Sequence, residues 1–504
     1  MKKLLFIISM FIFTAASFAA VKKQNLRVLY VGGSGDFAHS ASLKEKATPE
    51  DVAARMAAFT ELLNSHFTTV KAVNGSDYTS AMSADYDVTI FDGMPKPIKD
   101  RKYVKDGNGK VVGYQPAEYL PESFDRAAIC IADISEALCR PLGIKNDWYC
   151  LCLDADAHSL VKNHPIFKGP FKTSITMFDA PTPEDAFHYT YFYDKPLEAT
   201  TPRWKVQTIG YMTDKKARVG MVSRPWGYVE SSETEYISSG VCAKTIDAVA
   251  IGRHANFLHW GFAASPKYMT DEAKEVFANA VVYISKFNGV KPIVRKYNER
   301  QSTKLYIREC KYMASKAGWE ERVKTEREWA EEVMKEKKKA QEKQKKGETL
   351  TESEKQALQI EPADPPTYEE WLKKRQKGLF EKFGTDEQEY LDYYDHNYDY
   401  FYGGGKEMYH LEIDEDAKSL GIANTDKRLI DKAISLWETG SDVEKAKRIL
   451  YRYTLLRYDN AKQWRDWYKK YQKKLFFTQA GGWFWLVDNG DPTTPGNDYS
   501  IIKN

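Results

Sequence analysis

Between about residues 25 and 290 the chain alternates short apolar runs with capped, amphipathic segments, and this alternation limits the fold more than any other feature. RVLYVG is a first strand. A helix follows from Thr48, which supplies an N-cap, with Pro49 at the first helical position and acids in the first turn. FTTVKAV and YDVTIFDG read as the second and third strands, AAICIAD as the fourth and WYCLCLD as the fifth, with the helix SEALCRPLG between the last two. KTSITMFD, HYTYFYD, WKVQTIGYM, RVGMVS, AVAIGR and NFLHWGF add further strands, and MTDEAKEVFANAVVYISKF closes the segment as a helix. KYVKDGNGKVVGYQ places a Gly-Asn-Gly turn between alternating runs and reads as a hairpin insertion. Strands feeding helices in this order predict an α/β fold: a mostly parallel sheet with helices on both faces.

Beyond this unit the composition changes. From about Tyr297 to Lys377 Glu, Lys, Arg and Gln dominate, which predicts a long solvated helix broken by the three prolines of EPADPPTYEEW. Its acids and bases are interspersed, and the formal net charge over 504 residues is only +3, so neither argues for nucleic acid. An extended charged arm of this kind suits a protein partner. From Phe380 to Asp488 apolar residues return at helical spacing, in NTDKRLIDKAISLWETG, in the helix opened by the capping box Ser441 to Glu444, and around Trp464, Trp467 and Tyr468. LFFTQAGGWFWLVD then reads as a strand with a turn. The expected organisation is 25–290, a charged helical linker over 291–379, a small helical domain over 380–488, and a tail over 489–504.

MKKLLFIISMFIFTAASFAA has two lysines, an apolar run, and small residues ending at Ala19 or Ala20, the order of a secretory signal peptide. The run is shorter than the roughly 18–20 residues that a bilayer span needs. Residues 1–19 are therefore expected to direct export to the periplasm or exterior, without a lipid anchor or membrane embedding. The six cysteines, Cys130, Cys139, Cys150, Cys152, Cys242 and Cys310, form no C-x-x-C motif. An oxidising compartment would let some of them pair, but buried free thiols are the simpler expectation.

Gly33 to Ala38 spells G-x-G-x-x-A after the first strand. A dinucleotide loop of this spelling must start a helix at once, so that helix amides meet the pyrophosphate. Here HSASLKEKAT intervenes before the helix, and the second strand does not end in an acid for a ribose. The dinucleotide reading fails. What survives is a ligand loop at the carboxyl end of the first strand, in which Gly33 and Gly35 open the backbone and Asp36 and His39 can move protons.

GGSGDFAH, YDVTIFDG, NHPIFKG, and AVAIGR with NFLHWGF and a closing helix, in this order, resemble the trehalose-utilisation-like (ThuA-like) branch of the class I glutamine-amidotransferase-like fold. The resemblance spans about residues 25 to 290, and Asn163-His164-Pro165-Ile166 with Gly169 is its most specific piece. It implies a flavodoxin-like sheet and a link to sugar metabolism, including keto-sugar intermediates, but no fixed reaction. Amidotransferases carry a nucleophilic cysteine at the sharp turn after the fourth strand. The matching stretch here, Ala128 to Ser135, puts that turn at Ala132 to Ile134 and leaves Cys130 two residues early, where a strand thiol stays protonated. The histidine that the sugar-linked branch carries near this turn is replaced by Ala132 or Asp133. Glutamine hydrolysis is not expected.

Further candidates follow from strand alternation. Asp154, Asp156 and His158 share one face if their strand continues, and could hold a divalent cation or form an acid/base cluster. Acids here could equally cap the next loop. No other cofactor is expected. Asp92 closes the third strand beside the glycine loop, and His164 borders the pocket in the related family. His254 and His259 fall on opposite strand faces, so at most one, assigned here as His259, faces the pocket. Trp260, Tyr191 and Trp226 could stack on a sugar. These residues predict a domain that binds or acts on a carbohydrate or keto sugar by proton transfer, with His39, Asp36, Asp154, Asp156 and His158 as acids and bases. The alternative is a non-catalytic carbohydrate- or protein-binding module of the cell envelope. Both readings require the glycine loop and the Asp-x-Asp-x-His run to meet at one rim.

Overall fold

The structure, a computed structural model, describes residues 22–34, 48–144, 150–182, 197–210, 218, 220–224, 230–242, 245–296, 302–404 and 409–502. The expected signal peptide lies outside them. The N-terminal unit contains β1 (Gln24–Gly32), α1 (Pro49–His66), β2 (Phe67–Asn74), β3 (Val88–Phe91), β4 (Lys102–Lys105), β5 (Val111–Gln115), β6 (Ala128–Ile131), α2 (Ile134–Cys139) and β7 (Cys150–His158). It continues with β8 (Met177–Pro181), β9 (Thr200–Lys205), β10 (Gly220–Val222), β11 (Thr234–Cys242), β12 (Val249–His254), β13 (Phe257–Trp260) and α3 (Asp271–Ile284).

The large sheet runs β2-β1-β3-β6-β13-β12-β11-β7-β9-β8, with β10 on β7. Its first five strands pair in parallel. Numbered along the chain, those five stand in the order 2-1-3-4-5, a doubly wound arrangement. From β12 onward every pairing is antiparallel. The predicted α/β class is therefore observed, with the parallel strands gathered at one edge.

Strand alternation builds two cores. Val28 and Tyr30 of β1, Ile90 of β3, and Ile129 and Ile131 of β6 face α1 and α3, against Phe59, Leu63, Val276 and Phe277. Leu29, Val31, Phe91, Ala128 and Cys130 face the other way, against Ile134 and Leu138 of α2. Thr48 caps α1 as expected: its Oγ1 accepts from Asp51 N, and the Asp51 carboxylate accepts from Thr48 N at 3.0 Å. The hairpin β4–β5 stands off this body and leaves Tyr103, Val104, Val111, Val112 and Tyr114 exposed.

The C-terminal half comprises α4 (Lys304–Ala314), α5 (Lys316–Lys345), α6 (Glu352–Gln359), α7 (Tyr368–Arg375), α8 (Lys377–Phe383), α9 (Glu387–Asn397), β14 (Phe401–Tyr402), β15 (Glu412–Ile413), α10 (Glu415–Leu420), α11 (Arg428–Thr439), α12 (Val443–Tyr453), α13 (Ala461–Tyr471), β16 (Leu475–Thr478) and β17 (Phe484–Val487). The charged stretch is helical as expected but divides earlier than its prolines: α4 and α5 part at Ser315, α5 ends at Lys345 ahead of Gly347, and α6 stands between it and the proline-rich break. A boundary at residues 379 and 380 does not divide the packing, however. Ile307 of α4 and Leu372 of α7 share one core with Tyr390 and Tyr394 of α9. The tail is also built in: Asn497 accepts from Val487 N at 2.8 Å and donates to Val487 O at 2.9 Å. Ile293 and Val294 join Leu455, Phe484, Leu486 and Tyr499 in a cluster that ties the two halves together. Among the described residues no helix is long and apolar enough to cross a membrane.

Candidate functional site

From β1 the chain passes outward to β2 and returns across β1 to β3, so the carboxyl ends of β1 and β3 form a topological switch point, where open α/β sheets hold ligands. Gly33, with φ +125°, leaves β1 there. Asp92 and Gly93 follow β3, and both amides donate to Val31 O at 2.9 Å. A side chain at Gly93 would strike the Gly32 carbonyl, so glycine lets the two strand ends close together.

Asp92 is fully buried and saturated. Arg55 of α1 donates Nε to its Oδ2 and Nη2 to its Oδ1, both at 2.7 Å, and Tyr30 donates its hydroxyl to Oδ2 at 2.6 Å. Arg218 donates Nη1 to Oδ1 at 2.7 Å and to the Asp92 carbonyl at 2.9 Å. Arg218 also reaches the turn after β6, where Nε meets Asp133 Oδ1 at 2.8 Å and Nη2 meets the same oxygen. Arg55 Nη1 extends to Ala263 O at 2.7 Å, beyond β13. Two carboxylates and two guanidinium groups thus tie together the ends of β1, β3, β6 and β13. Burial alone would raise the Asp92 pKa, but Arg55 and Arg218 overcome it and hold the carboxyl at about 2. Burial, with the Asp92 charge, pushes the Tyr30 phenol well above its ordinary range.

Between β6 and α2 stands Ala132, with φ +49°, a left-handed conformation that a methyl-bearing residue adopts at a cost. This is the sharp turn expected after the fourth strand, and its residue has no nucleophile. Cys130 lies two residues earlier inside β6, 1% exposed, and burial with the neighbouring Cys139 raises its thiol pKa well above the ordinary value. Ser135 and His259 lie close to the turn: Ser135 Oγ is 2.7 Å from His259 Nδ1, and His259 Nε2 is 2.9 Å from Met221 O. The Met221 contact fixes the Nε2 hydrogen, so in the neutral ring Nδ1 is an acceptor. It competes with Cys130 O, 3.0 Å from Ser135 Oγ, for the one hydroxyl hydrogen of Ser135. Burial pushes this imidazole down to about 4.

The sequence candidates separate on this frame. Gly33 and Asp92 stand at the crevice, although Asp92 holds arginines and has no exposed oxygen for a sugar hydroxyl. His259 is locked between α2 and β10 and does not face a pocket. Trp260 is fully buried, with its ring 5.1 Å from Phe277 in a T-shaped contact, so it packs the core and offers no stacking face. His164 caps the turn Pro165–Phe167 and packs on Tyr283 at 4.6 Å, with Nε2 3.6 Å from Glu235 Oε2. Glu235 belongs to the amino end of β11, which runs in the same sense as β1, so His164 is on the side away from the crevice. Gly35, Asp36, His39, Tyr191 and Trp226 lie outside the described residues.

Asp154, Asp156 and His158 follow one another on β7, six strands from β1 in the sheet order and antiparallel to it. The expected meeting of this run with the glycine loop at one rim is therefore not found, and the run is no part of the crevice. Its three side chains do not converge. Asp154 lies against Gly210, Asp156 Oδ2 is 3.7 Å from Arg203 Nη1, and His158 Nδ1 is 3.0 Å from Ser159 Oγ. Burial raises the Asp156 pKa and lowers that of His158 to about 4. Among the described residues no group of three or more His, Cys, Asp or Glu could hold a metal ion, so the cation reading of this run is not met. Side chains at i and i+2 stand about 7 Å apart along a strand, and they meet only if they lean together. Here each leans towards a different neighbour.

Sequence reasoning missed Arg55, Arg218, Asp133 and Tyr30. Arg55 carried a usable signal: it stands four residues before Phe59, on the same stripe as buried Leu62, Leu63 and His66. A cation on a core stripe requires a buried anion. Arg218 carried none, because a loop gives its side chain no periodic direction. The chain matches no known protein-family profile and no curated protein.

Proposed function

We propose that the N-terminal α/β unit binds a carbohydrate or oxidised sugar at the carboxyl ends of β1, β3 and β6, without cysteine-based hydrolysis. The observation that carries this reading is the Asp92–Arg55–Arg218–Asp133 network at the switch point. Desolvating four charges gains little stability over apolar packing. Their concentration at the one edge where such sheets take ligands favours a binding role. The Arg55 and Arg218 side chains are 15% and 10% exposed. Arg218 commits its donors to Asp92, Asp133 and Ile131 O and fixes the frame. Arg55 Nη1 and Nη2, each bonded once, supply donors for hydroxyl, carbonyl or carboxylate oxygens. Gly33, with φ +125°, turns the chain out of β1 at the same edge. The order of sequence motifs supports the sugar class, and the apolar leader supports export.

If turnover occurs, Asp36 and His39, which follow Gly33 in the loop, are the acid and base nearest in sequence to this crevice. The test is calorimetry and thermal shift on the full chain with mono- and disaccharides, keto-sugars and sugar acids, with product analysis after incubation. Binding that weakens at least tenfold in Arg218→Gln supports the crevice. A panel without any binder would overturn the proposal.

A second reading attaches to α5, where Trp329 and Met334 are 49% and 52% exposed on an otherwise charged helix. These side chains favour a protein partner for the arm.

A further inference from the structure

The sulfurs of Cys152 on β7 and Cys242 on β11 are 3.1 Å apart, although the residues are 90 positions apart in sequence. The two strands are antiparallel neighbours, with Cys242 opposite Leu153. Both side chains are buried, 4% and 1% exposed, in the core that also holds Leu153 and Met221. As thiols they share an S–H···S contact. A covalent bond needs an S–S distance of about 2.05 Å, so the sulfurs need to approach by only about 1 Å.

We propose that Cys152 and Cys242 form a disulfide bond when the chain folds under oxidising conditions. The two thiols give up two protons and two electrons to a disulfide-bearing oxidant, either a thiol–disulfide oxidoreductase or an oxidised small thiol. One thiolate attacks the oxidant disulfide, forming a mixed disulfide and releasing one reduced thiol. The second thiolate then attacks the protein sulfur of that mixed disulfide and releases the other reduced thiol. Because both sulfurs are buried in the folded chain, the exchange belongs to folding, and the finished bond is shielded from reductants. The ring it closes contains β8, β9, β10 and Arg218, so the covalent link also holds the segment that delivers Arg218 to Asp92 and Asp133.

The test is refolding of the full chain in a glutathione redox buffer, followed by alkylation in denaturant without reductant and peptide mapping by mass spectrometry. The expected product is a linked peptide pair containing Cys152 and Cys242, with Cys310 alkylated. Reduction of this product should lower Tm by roughly 4–8 °C. The Cys152→Ala/Cys242→Ala double variant should have a Tm that reductant does not move. Alkylation of both cysteines, a link through Cys150, or a double variant that still responds to reductant would each overturn the assignment.

Discussion

Arg55 and Asp92 meet through two parallel hydrogen bonds of 2.7 Å, and the carboxylate they share has no exposed surface. This pair joins α1 to the end of β3, so the helix and the crevice floor cannot shift independently. Removing the anion leaves Arg55 and Arg218 facing each other in a desolvated site. Asp92→Asn is therefore expected to reduce the unfolding free energy by about 3–5 kcal/mol. Urea titration measures it, and a loss below about 1 kcal/mol would show that both cations find new acceptors.

Acid should destabilise the protein in two stages. His158 and His259 have folded-state pKa values of about 4 against an ordinary 6.5, so they fold neutral. Asp92 and Glu235 have values of about 2 against 3.8 and 4.5. Burial opposes ionisation of Glu235, but His164, Arg253 and Tyr283 together overcome it. All four groups bind protons more readily when unfolded, so each contribution is complete above its unfolded value and is lost as pH falls towards its folded value. The histidine phase covers pH 6.5 to 4, and the carboxylate phase covers pH 4.5 to 2. Tm measured against pH should show both, and Glu235→Gln should shrink the lower phase alone.

Ala132 pays a backbone penalty at the β6–α2 turn that glycine would not. Ala132→Gly is expected to raise stability by up to about 1 kcal/mol, and Ala132→Val to lower it by about 2 kcal/mol or more. Thermal denaturation of the two variants should order them on either side of the natural chain. The reverse order would mean that the turn relaxes when its side chain changes.

Much of the fold could be read from residues with strong local rules. Thr48 and Asp51, the alternation of β1, and the left-handed cap at Gly440, with φ +69°, announce their elements. Even there the detail shifted, since Asp442, and not Ser441, caps α12 through Lys445 N at 3.0 Å. Strand β11 did not announce itself, because Ser238-Ser239-Gly240 resembles a turn and is extended only by its pairing with β12 and β7. The site was legible in part for the same reason. Asp92 lies at a strand end that alternation can locate, whereas its partners arrive from a helix and a loop distant in sequence. The Asp-x-Asp-x-His run shows the converse: periodicity locates its residues on a strand but cannot give the neighbours towards which each side chain turns.

Glu230 links the two halves of the chain. Its Oε2 accepts from Gln479 N and Ala480 N, both at 3.0 Å, and from Thr478 Oγ1 at 3.1 Å. The turn between β16 and β17 therefore depends on a carboxylate from the α/β unit, while Gly481 N bonds locally to Thr478 Oγ1 at 2.9 Å. Glu230→Ala removes the acceptor from two amides at a partly buried joint, a loss of about 1–3 kcal/mol. Because the turn can open without global unfolding, amide exchange at Gln479 and Ala480 should accelerate by about tenfold or more. Glu230→Gln keeps an acceptor oxygen and should recover most of the protection. Hydrogen-exchange mass spectrometry on the full chain distinguishes the cases. Unchanged exchange in Glu230→Ala would mean that the apolar contacts of Val294, Phe484 and Leu486 hold the joint without the carboxylate.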